Sequence, residues 1–265
     1  MSLEFNTIKL KIEEGVATLT LNRPDKLNSL NTEMFQELRV ALKQISIENG
    51  VRCLLITGSG RGFCAGQDLS DRSVKAGAEK PDLSASLENN YNPLIRKIAQ
   101  LEVPVLCAVN GVAAGAGSSI ALTCDIVYAA RSASFIQAFC KIGVIPDSGG
   151  SWLLPNKIGR ARALGLALLG DKLSAEKAEE WGLIWQCIDD DKLLEEATAK
   201  GKYLATQPTK GLSLIKRAVN ASFTNSFDEQ LDLERDLQGI AGRTNDYQEG
   251  VSAFMEKRSP NFTGN

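Results

Sequence analysis

Apolar and polar residues alternate along residues 8–21, with one interruption at Glu14 and Gly15. A period of two is typical of strands that bury one face, so this segment predicts a β-hairpin. After a loop at residues 22–26, Asn31 is a suitable N-cap for a helix. The residues that recur at helical spacing behind it are Phe35, Leu38, Leu42 and Ile45.

Buried strands and helices then alternate along the chain. Strands are predicted over residues 51–57, 103–109 and 126–130, with a glycine-rich turn and a helix over 115–123. This alternation predicts an α/β core. Residues 71–92 mix Lys, Gly, Glu, Pro and Ser without a clear period, which predicts a mobile surface segment that covers a site.

Strand patterns end near residue 190, and only helical patterns follow. They lie at residues 191–205, 209–222, 227–241 and 246–257, and Ser226 with Glu229 matches a capping box for the third. Leu231, Leu237 and Ile240 are expected to pack on the core or on a neighbouring subunit.

Composition excludes several classes of function. The chain has 265 residues and no histidine, which removes histidine bases and histidine metal ligands. A formal charge of −2 provides no basic field for nucleic acid or an anionic membrane. The N-terminus lacks a basic segment followed by an apolar one, so we expect a cytoplasmic protein with neither nucleic acid nor membrane as a partner.

The six cysteines form no CxxC pair and mostly lie in apolar runs, which favours buried free thiols over a zinc site. The sequence PDSGG at residues 146–150 resembles a serine-protease loop, but no histidine is available to activate the serine. Residues 115–120 make a poor dinucleotide fingerprint, and no Walker A motif is present.

Two glycine-bearing turns each follow a buried strand, at residues 61–68 and 110–117. Small residues let a ligand approach backbone N–H groups, and the second turn opens a helix, whose N-terminus carries partial positive charge. Two such amides can polarise one carbonyl oxygen, although tight turns after strands also use glycine for purely structural reasons.

Several collinear motifs resemble the crotonase (enoyl-CoA hydratase/isomerase) superfamily. They are VATLTLNRPDKLNSL (16–30), GRGFCAGQDL (60–69), PVLCAVNGVAAGAGSSIALTCDIVYAA (104–130), FIQAFCKIGVIPDSGGSWLLP (135–155), LSAEKAEEWGLI (173–184) and EGVSAFMEKRSPNF (249–262). The resemblance implies an α/β, ClpP-like fold: a spiral core of repeated ββα units over residues 1–195, then a helical oligomerisation region over 196–265. It also implies a homotrimer or a dimer of trimers, with Phe254 and Lys257 near a neighbour's coenzyme A.

The resemblance also assigns site residues. The amides of Ala65 and Ala116 are expected to form an oxyanion hole for an acyl-CoA thioester, the substrate that this family binds. The residues expected to contact the substrate are Lys26, which is a candidate for the coenzyme A phosphates, and Gly66, Gln67, Asp68 and Gly117. No metal and no separate cofactor are expected, because coenzyme A is part of the substrate.

Two positions depart from the hydratases of the family. Where hydratases carry a pair of glutamates, this chain has Ser119 and Phe139, and neither side chain can activate water or deliver a proton. Asp147 occupies a segment in which family isomerases can place one catalytic aspartate. A turn aspartate that caps the following amides is the alternative interpretation.

The resemblance therefore implies an isomerase of acyl-CoA thioesters with Asp147 as its single acid/base. It is strongest toward isomerases that open the epoxide ring of 1,2-epoxyphenylacetyl-CoA to give oxepin-CoA. One alternative is an enoyl-CoA isomerase that moves a double bond. A dehalogenase is a weaker alternative, because that family chemistry enlists a histidine. An acyl-CoA-binding subunit without catalysis is an alternative of another class.

Overall fold

The computed structural model describes residues 4–47, 50–68 and 82–265. The strands are β1 Ile8–Glu13, β2 Val16–Leu21, β3 Cys53–Gly58, β4 Gly62–Cys64, β5 Val105–Val109, β6 Val112–Ala114, β7 Ile126–Ala130, β8 Ser134–Ile136, β9 Lys172–Ser174 and β10 Gln186–Ile188. The helices are α1 Thr32–Ile47, α2 Leu83–Ser86, α3 Asn92–Ala99, α4 Ala116–Thr123, α5 Gly150–Leu169, α6 Ala175–Glu180, α7 Leu193–Ala205, α8 Thr209–Ala221, α9 Phe227–Ala241 and α10 Asn245–Glu256.

Six strands form the main sheet in the order β1-β2-β3-β5-β7-β10, and all neighbours except the β1–β2 hairpin are parallel. The hairpin confirms the prediction from alternation, and its turn places Glu14 and Gly15 at positive φ, as a two-residue turn between twisted strands requires. Every residue of β5 is buried, because a central parallel strand is covered on both faces.

A second sheet of short strands runs beside the first in the order β4-β6-β8-β9. Each of β3, β5 and β7 is followed directly by one of its strands, β4, β6 and β8, and a helix completes the second unit at α4. This succession of long strand, short strand and helix confirms the repeated ββα spiral. The glycine turns lie where the chain leaves the second sheet.

The predicted helices at the C-terminal end are confirmed as α7 to α10. The capping box is present at the start of α9, where the Glu229 side chain accepts a hydrogen bond from the Ser226 amide at 2.7 Å. Helix α7 packs on the main sheet, and an added Cβ at Gly201 would lie 3.4 Å from Val16. The expected division near residue 195 falls within this helix, and the division into two regions stays a prediction.

The apolar residues of the C-terminal helices differ in burial. Leu237 is buried and Ile240 is partly buried, whereas Leu231 is 47% exposed. The described residues contain no helix of the length and apolar character needed to cross a membrane. All six cysteines are free, four of them buried and two partly buried, which agrees with the predicted thiols.

Residues 71–81 of the segment predicted to cover a site lie outside the described part of the chain. Residues 82–90 lie at or near the surface, as predicted, but the lack of a clear period did not indicate a lack of regular structure. The described stretch is helical: α2 continues through a π-helical turn at Leu87–Tyr91 into α3. Asp82 starts it, because its side chain accepts hydrogen bonds from the amides of Ser84 and Ala85. Leu87, Tyr91 and Leu94 repeat at helical spacing, and the Tyr91 ring packs edge-on against Phe35, with centroids 4.6 Å apart.

Candidate active site

The glycine turns border a cavity of about 470 Å³, which the helical stretch from Leu83 to Tyr91 and the loop after β8 also line. Its walls are mostly apolar. The lining residues are Ala65, Gly66, Gln67, Leu83, Ser86, Leu87, Tyr91, Gly115, Ala116, Ala138, Phe139, Ile142, Val144, Ile145 and Asp147. The fold thus brings five of the predicted site residues to one cavity, namely Ala65, Gly66, Gln67, Ala116 and Asp147.

The first turn corrects the prediction for Ala65. Its amide donates a hydrogen bond to the carbonyl of Leu27 at 2.9 Å and so faces the neighbouring loop. The Gly66 carbonyl and the Asp68 amide both bond to Leu30, at 2.7 and 2.9 Å. Because successive groups of an extended chain point to opposite sides, the intervening amide of Gln67 faces away from Leu30. Gln67 lines the cavity, so its amide is the candidate backbone donor of this turn in place of Ala65.

The second turn presents the start of α4 to the cavity. Gly115 adopts a positive φ of 52°, and Ala116 is the first residue of the helix. The first amides of a helix have no partner in the helix's own hydrogen-bond ladder, and the helix dipole adds partial positive charge there. Ala116 thus lies at the cavity at the start of a helix, and the role of its amide as an oxyanion donor stays a prediction.

Glycine is required where the two turns meet. A Cβ added at Gly66 would lie 2.8 Å from the Ala114 carbonyl oxygen and 3.5 Å from the Ala116 nitrogen. A Cβ at Gly117 would lie only 2.2 Å from the carbonyl oxygen of Cys64. Gly117 is buried against β4 and does not line the cavity, so its position suits packing of the turns and not the predicted substrate contact.

Asp68 and Lys26 also lie outside the cavity lining. Asp68 is buried and forms an ion pair with Arg23 at 2.8 Å, which ties the first turn to the loop at residues 22–30. Asp68 therefore shapes the turn, and it does not line the cavity as the predicted substrate contact would require. Lys26 is exposed in a short 3-10 turn at Pro24–Lys26.

Sequence reasoning missed Asn28, which organises the same loop. Asn28 is fully buried with a positive φ of 55°, and its amide group donates to the carbonyls of Ser59 and Gly62 at 2.9 and 2.8 Å. Its side-chain oxygen accepts from the Arg23 amide. The available signal was the residue type, since asparagine tolerates the left-handed region better than most residues.

Asp147 is held at the opposite wall by two serines. Its Oδ1 accepts a hydrogen bond from the Ser148 hydroxyl at 2.9 Å, and its backbone carbonyl accepts from the Ser119 hydroxyl at 3.1 Å. Among the described residues that line the cavity, Asp147 is the only acidic one. Burial raises the pKa of the nearby Cys64 thiol to about 12, so this thiol stays protonated and is no nucleophile.

Comparison with known proteins identifies the family. Residues 11–265 match the model of the enoyl-CoA hydratase/isomerase family. The chain belongs to this family. It is 62% identical over 253 residues to the 1,2-epoxyphenylacetyl-CoA isomerase of Escherichia coli K12, covering 96% of this chain and 97% of that protein. It is 45% identical to a probable enoyl-CoA hydratase of Rhodobacter capsulatus, over 99% of this chain and 100% of the relative.

Solved structures agree with this assignment. The enoyl-CoA hydratase of Bacillus anthracis superposes with a TM-score of 0.92 at 32% identity, covering 98% of this chain and 100% of that one. The α/β crotonase fold inferred from the motifs is therefore confirmed. The sequence was enough to indicate this fold because the family motifs are spread along nearly the whole chain.

Ser119 and Phe139 occupy the positions expected to carry the glutamate pair of a hydratase, and the described residues that line the cavity contain no such pair. Ser119 is fully buried behind Asp147 and does not line the cavity. Phe139 does line it, and its ring lies 3.7 Å from the position of a Cβ added at Gly115, beside the start of α4. An aromatic ring beside the Ala116 amide provides an apolar wall and no proton-transfer group.

Proposed function

We propose that this enzyme is an isomerase of acyl-CoA thioesters that opens the epoxide ring of 1,2-epoxyphenylacetyl-CoA to give oxepin-CoA. The observation that carries the proposal is that Asp147 is the one carboxylate among the described residues that line the cavity, which two backbone turns also line. The 62% identity to the Escherichia coli isomerase supports this choice of substrate.

In the proposed mechanism, the amides of Gln67 and Ala116 bind the thioester oxygen. Donors of this kind act where negative charge develops, and removing one typically costs about 2.7–4 kcal/mol of transition-state stabilisation. The positions of these two N–H groups are set by the fold before the substrate binds, because the turns pack against each other through Gly66 and Gly117.

Asp147 then takes the proton from the carbon next to the thioester carbonyl. In the ring, the C–C bond between the two epoxide carbons breaks while both C–O bonds are kept, and the double bonds shift to give the seven-membered oxepin. The electron pair of the broken α C–H bond forms the enolate, which is conjugated with the ring. The carboxylic acid of Asp147 returns the proton to the ring carbon γ to the thioester carbonyl. The product is an isomer of the substrate, so no water, oxidant or reductant is consumed.

The walls suit an apolar cyclic acyl group. Aliphatic and aromatic side chains line the cavity, among them Leu87, Tyr91, Phe139 and Val144. A carbocyclic ring placed there exchanges contact with water for contact with these side chains, which is favourable at roughly 25 cal/mol per Å² of apolar surface. Lys26 remains a candidate for the coenzyme A phosphates, since its ammonium group is exposed near the first turn.

The test is incubation of the purified protein with a panel of acyl-CoA thioesters. The panel contains the ring epoxide, a β,γ-enoyl-CoA and crotonyl-CoA, and product masses and ultraviolet spectra are recorded. We expect the ring epoxide to react fastest, with no change in mass. Fastest reaction of the β,γ-enoyl-CoA would identify a double-bond isomerase instead, and hydration of crotonyl-CoA as the best reaction would contradict the single-carboxylate mechanism.

A further inference from the structure

The residue that follows Asp147 has an unusual backbone conformation. Ser148 has a φ of +52° and is only 3% exposed. A residue other than glycine rarely adopts positive φ, and it does so where the surrounding structure holds it there. Gly149, the next residue, has a φ of +83°, so the turn uses two left-handed residues in succession.

The hydroxyl of Ser148 reaches the functional carboxylate directly. Its Oγ donates to Asp147 Oδ1 at 2.9 Å. The Asp147 backbone is held separately, because its carbonyl accepts from Ser119 Oγ at 3.1 Å and from the Gly150 amide at 2.8 Å. Side chain and main chain of Asp147 are thus fixed by different donors.

We propose that Ser148 is a positioning residue, whose hydroxyl holds the Asp147 carboxylate in its orientation toward the cavity and stabilises its ionised form. This inference rests on the proposed function, because it requires Asp147 to be the base. It goes further, because it explains why Ser148 adopts positive φ: this conformation directs the hydroxyl to the carboxylate that transfers the proton.

Glycine would meet the backbone requirement of this position without strain, as it does at Gly149. What serine adds is the hydroxyl, and the hydroxyl of this buried side chain is directed to Asp147. A hydrogen bond to a carboxylate favours the charged form and lowers the pKa of that carboxyl. Without Ser148, the base should be both less well oriented and less ionised at low pH.

The test is Ser148→Gly, which keeps the left-handed backbone accessible and removes the whole side chain, including the hydroxyl. We expect kcat for the substrate found by the panel to fall about tenfold, while KM changes less than about twofold. The acidic limb of the kcat profile should move to higher pH, because the hydrogen bond from the hydroxyl favours the ionised carboxylate. Ser148→Ala also lacks the hydroxyl but keeps the backbone strain, and it should show the same shift.

The matched control is Ser119→Ala, which removes the donor to the Asp147 carbonyl and leaves the contact to the carboxylate. Its acidic limb should coincide with that of the wild type. A folded Ser148→Gly variant with unchanged kcat and pH profile, beside an inactive Asp147→Asn variant, would overturn the positioning role alone. An Asp147→Asn variant with wild-type turnover would overturn the proposed function as well.

Discussion

At the scale of the residue, Asp147 carries the proposed reaction. Asp147→Asn keeps the size of the side chain and removes the base, so kcat for the ring epoxide should fall by on the order of 10²–10⁴. Thioester affinity should change little, because the backbone amides of Gln67 and Ala116 are retained. In deuterated water, mass spectrometry should detect exchange of the α hydrogen with the wild type and not with the variant.

The backbone donor of the second turn can be removed by Ala116→Pro. Proline is tolerated at the first position of a helix, so α4 should still form, but the N–H group is lost. We expect kcat/KM to fall by about 10²–10³. Ala116→Gly retains the N–H and is the matched control. A folded proline variant that matches this control in turnover would refute the assignment of the Ala116 amide.

At the scale of the element, the packing of α4 on β4 holds the two turns together. Gly117→Ala places a Cβ 2.2 Å from the Cys64 carbonyl oxygen, and neither backbone can yield easily. We expect a loss of about 1–3 kcal/mol or more in the free energy of unfolding, measured by chemical denaturation. Gly165→Ala in α5 is the control, because no atom lies within 4 Å of its added Cβ. That substitution should be neutral or slightly stabilising.

Glu249 in helix α10 attaches the segment after this helix, at Arg258 and Asn261, to the helix. Arg258 contacts both carboxylate oxygens of Glu249, at 2.6 and 2.9 Å, and the Asn261 amide donates at 2.7 Å. The Arg258 side chain, followed by the Asn261 amide, lowers the pKa of Glu249 from 4.5 to about 2. Because the folded-state pKa is lowered, this attachment is complete above the unfolded value of 4.5 and is lost as the pH falls through about 2.

Glu249→Gln should loosen this attachment at neutral pH as well. Hydrogen exchange followed by mass spectrometry should show faster exchange at residues 258–262 in the variant, with unchanged exchange in the main sheet. Glu234→Gln on α9 is a control, because it removes the same charge from a different helix. Equal protection of residues 258–262 in wild type and Glu249→Gln would contradict this role.

At the scale of the whole molecule, α8 to α10 and the turn that follows α8 expose many large apolar side chains. They are Ile215, Val219, Phe223, Phe227, Leu231, Tyr247, Val251, Phe254 and Met255. We expect these helices to form the interface of a homotrimer or a dimer of trimers, which sedimentation velocity at micromolar concentration would detect. Leu231→Asp should weaken the assembly. Val40→Asp in α1 is the control, since Val40 is 45% exposed and Leu231 is 47% exposed. A stable wild-type monomer would contradict the prediction.

Local pattern was enough to predict most elements, and resemblance of the collinear motifs indicated the family. The β1–β2 hairpin, α1 and the four C-terminal helices follow from periodicity and capping, because these signals act between residues close in sequence. The helical stretch from Leu83 was missed, since its apolar repeat at Leu87, Tyr91 and Leu94 begins inside a segment of mixed composition. The motifs identified both glycine turns and Asp147, because a motif records residue types at fixed spacing.

The sequence by itself therefore determined the fold class, the glycine turns and the single candidate carboxylate. Only the tertiary structure decided which backbone amide of the first turn faces the cavity, because that depends on the pairing of Gly66 and Asp68 with Leu30. The tertiary structure also showed that Gly117 packs against β4 and does not line the cavity, and that Asp68 forms an ion pair with Arg23. The direction of an N–H group and the partner of a buried charge are set by segments distant in sequence, and no local pattern records them.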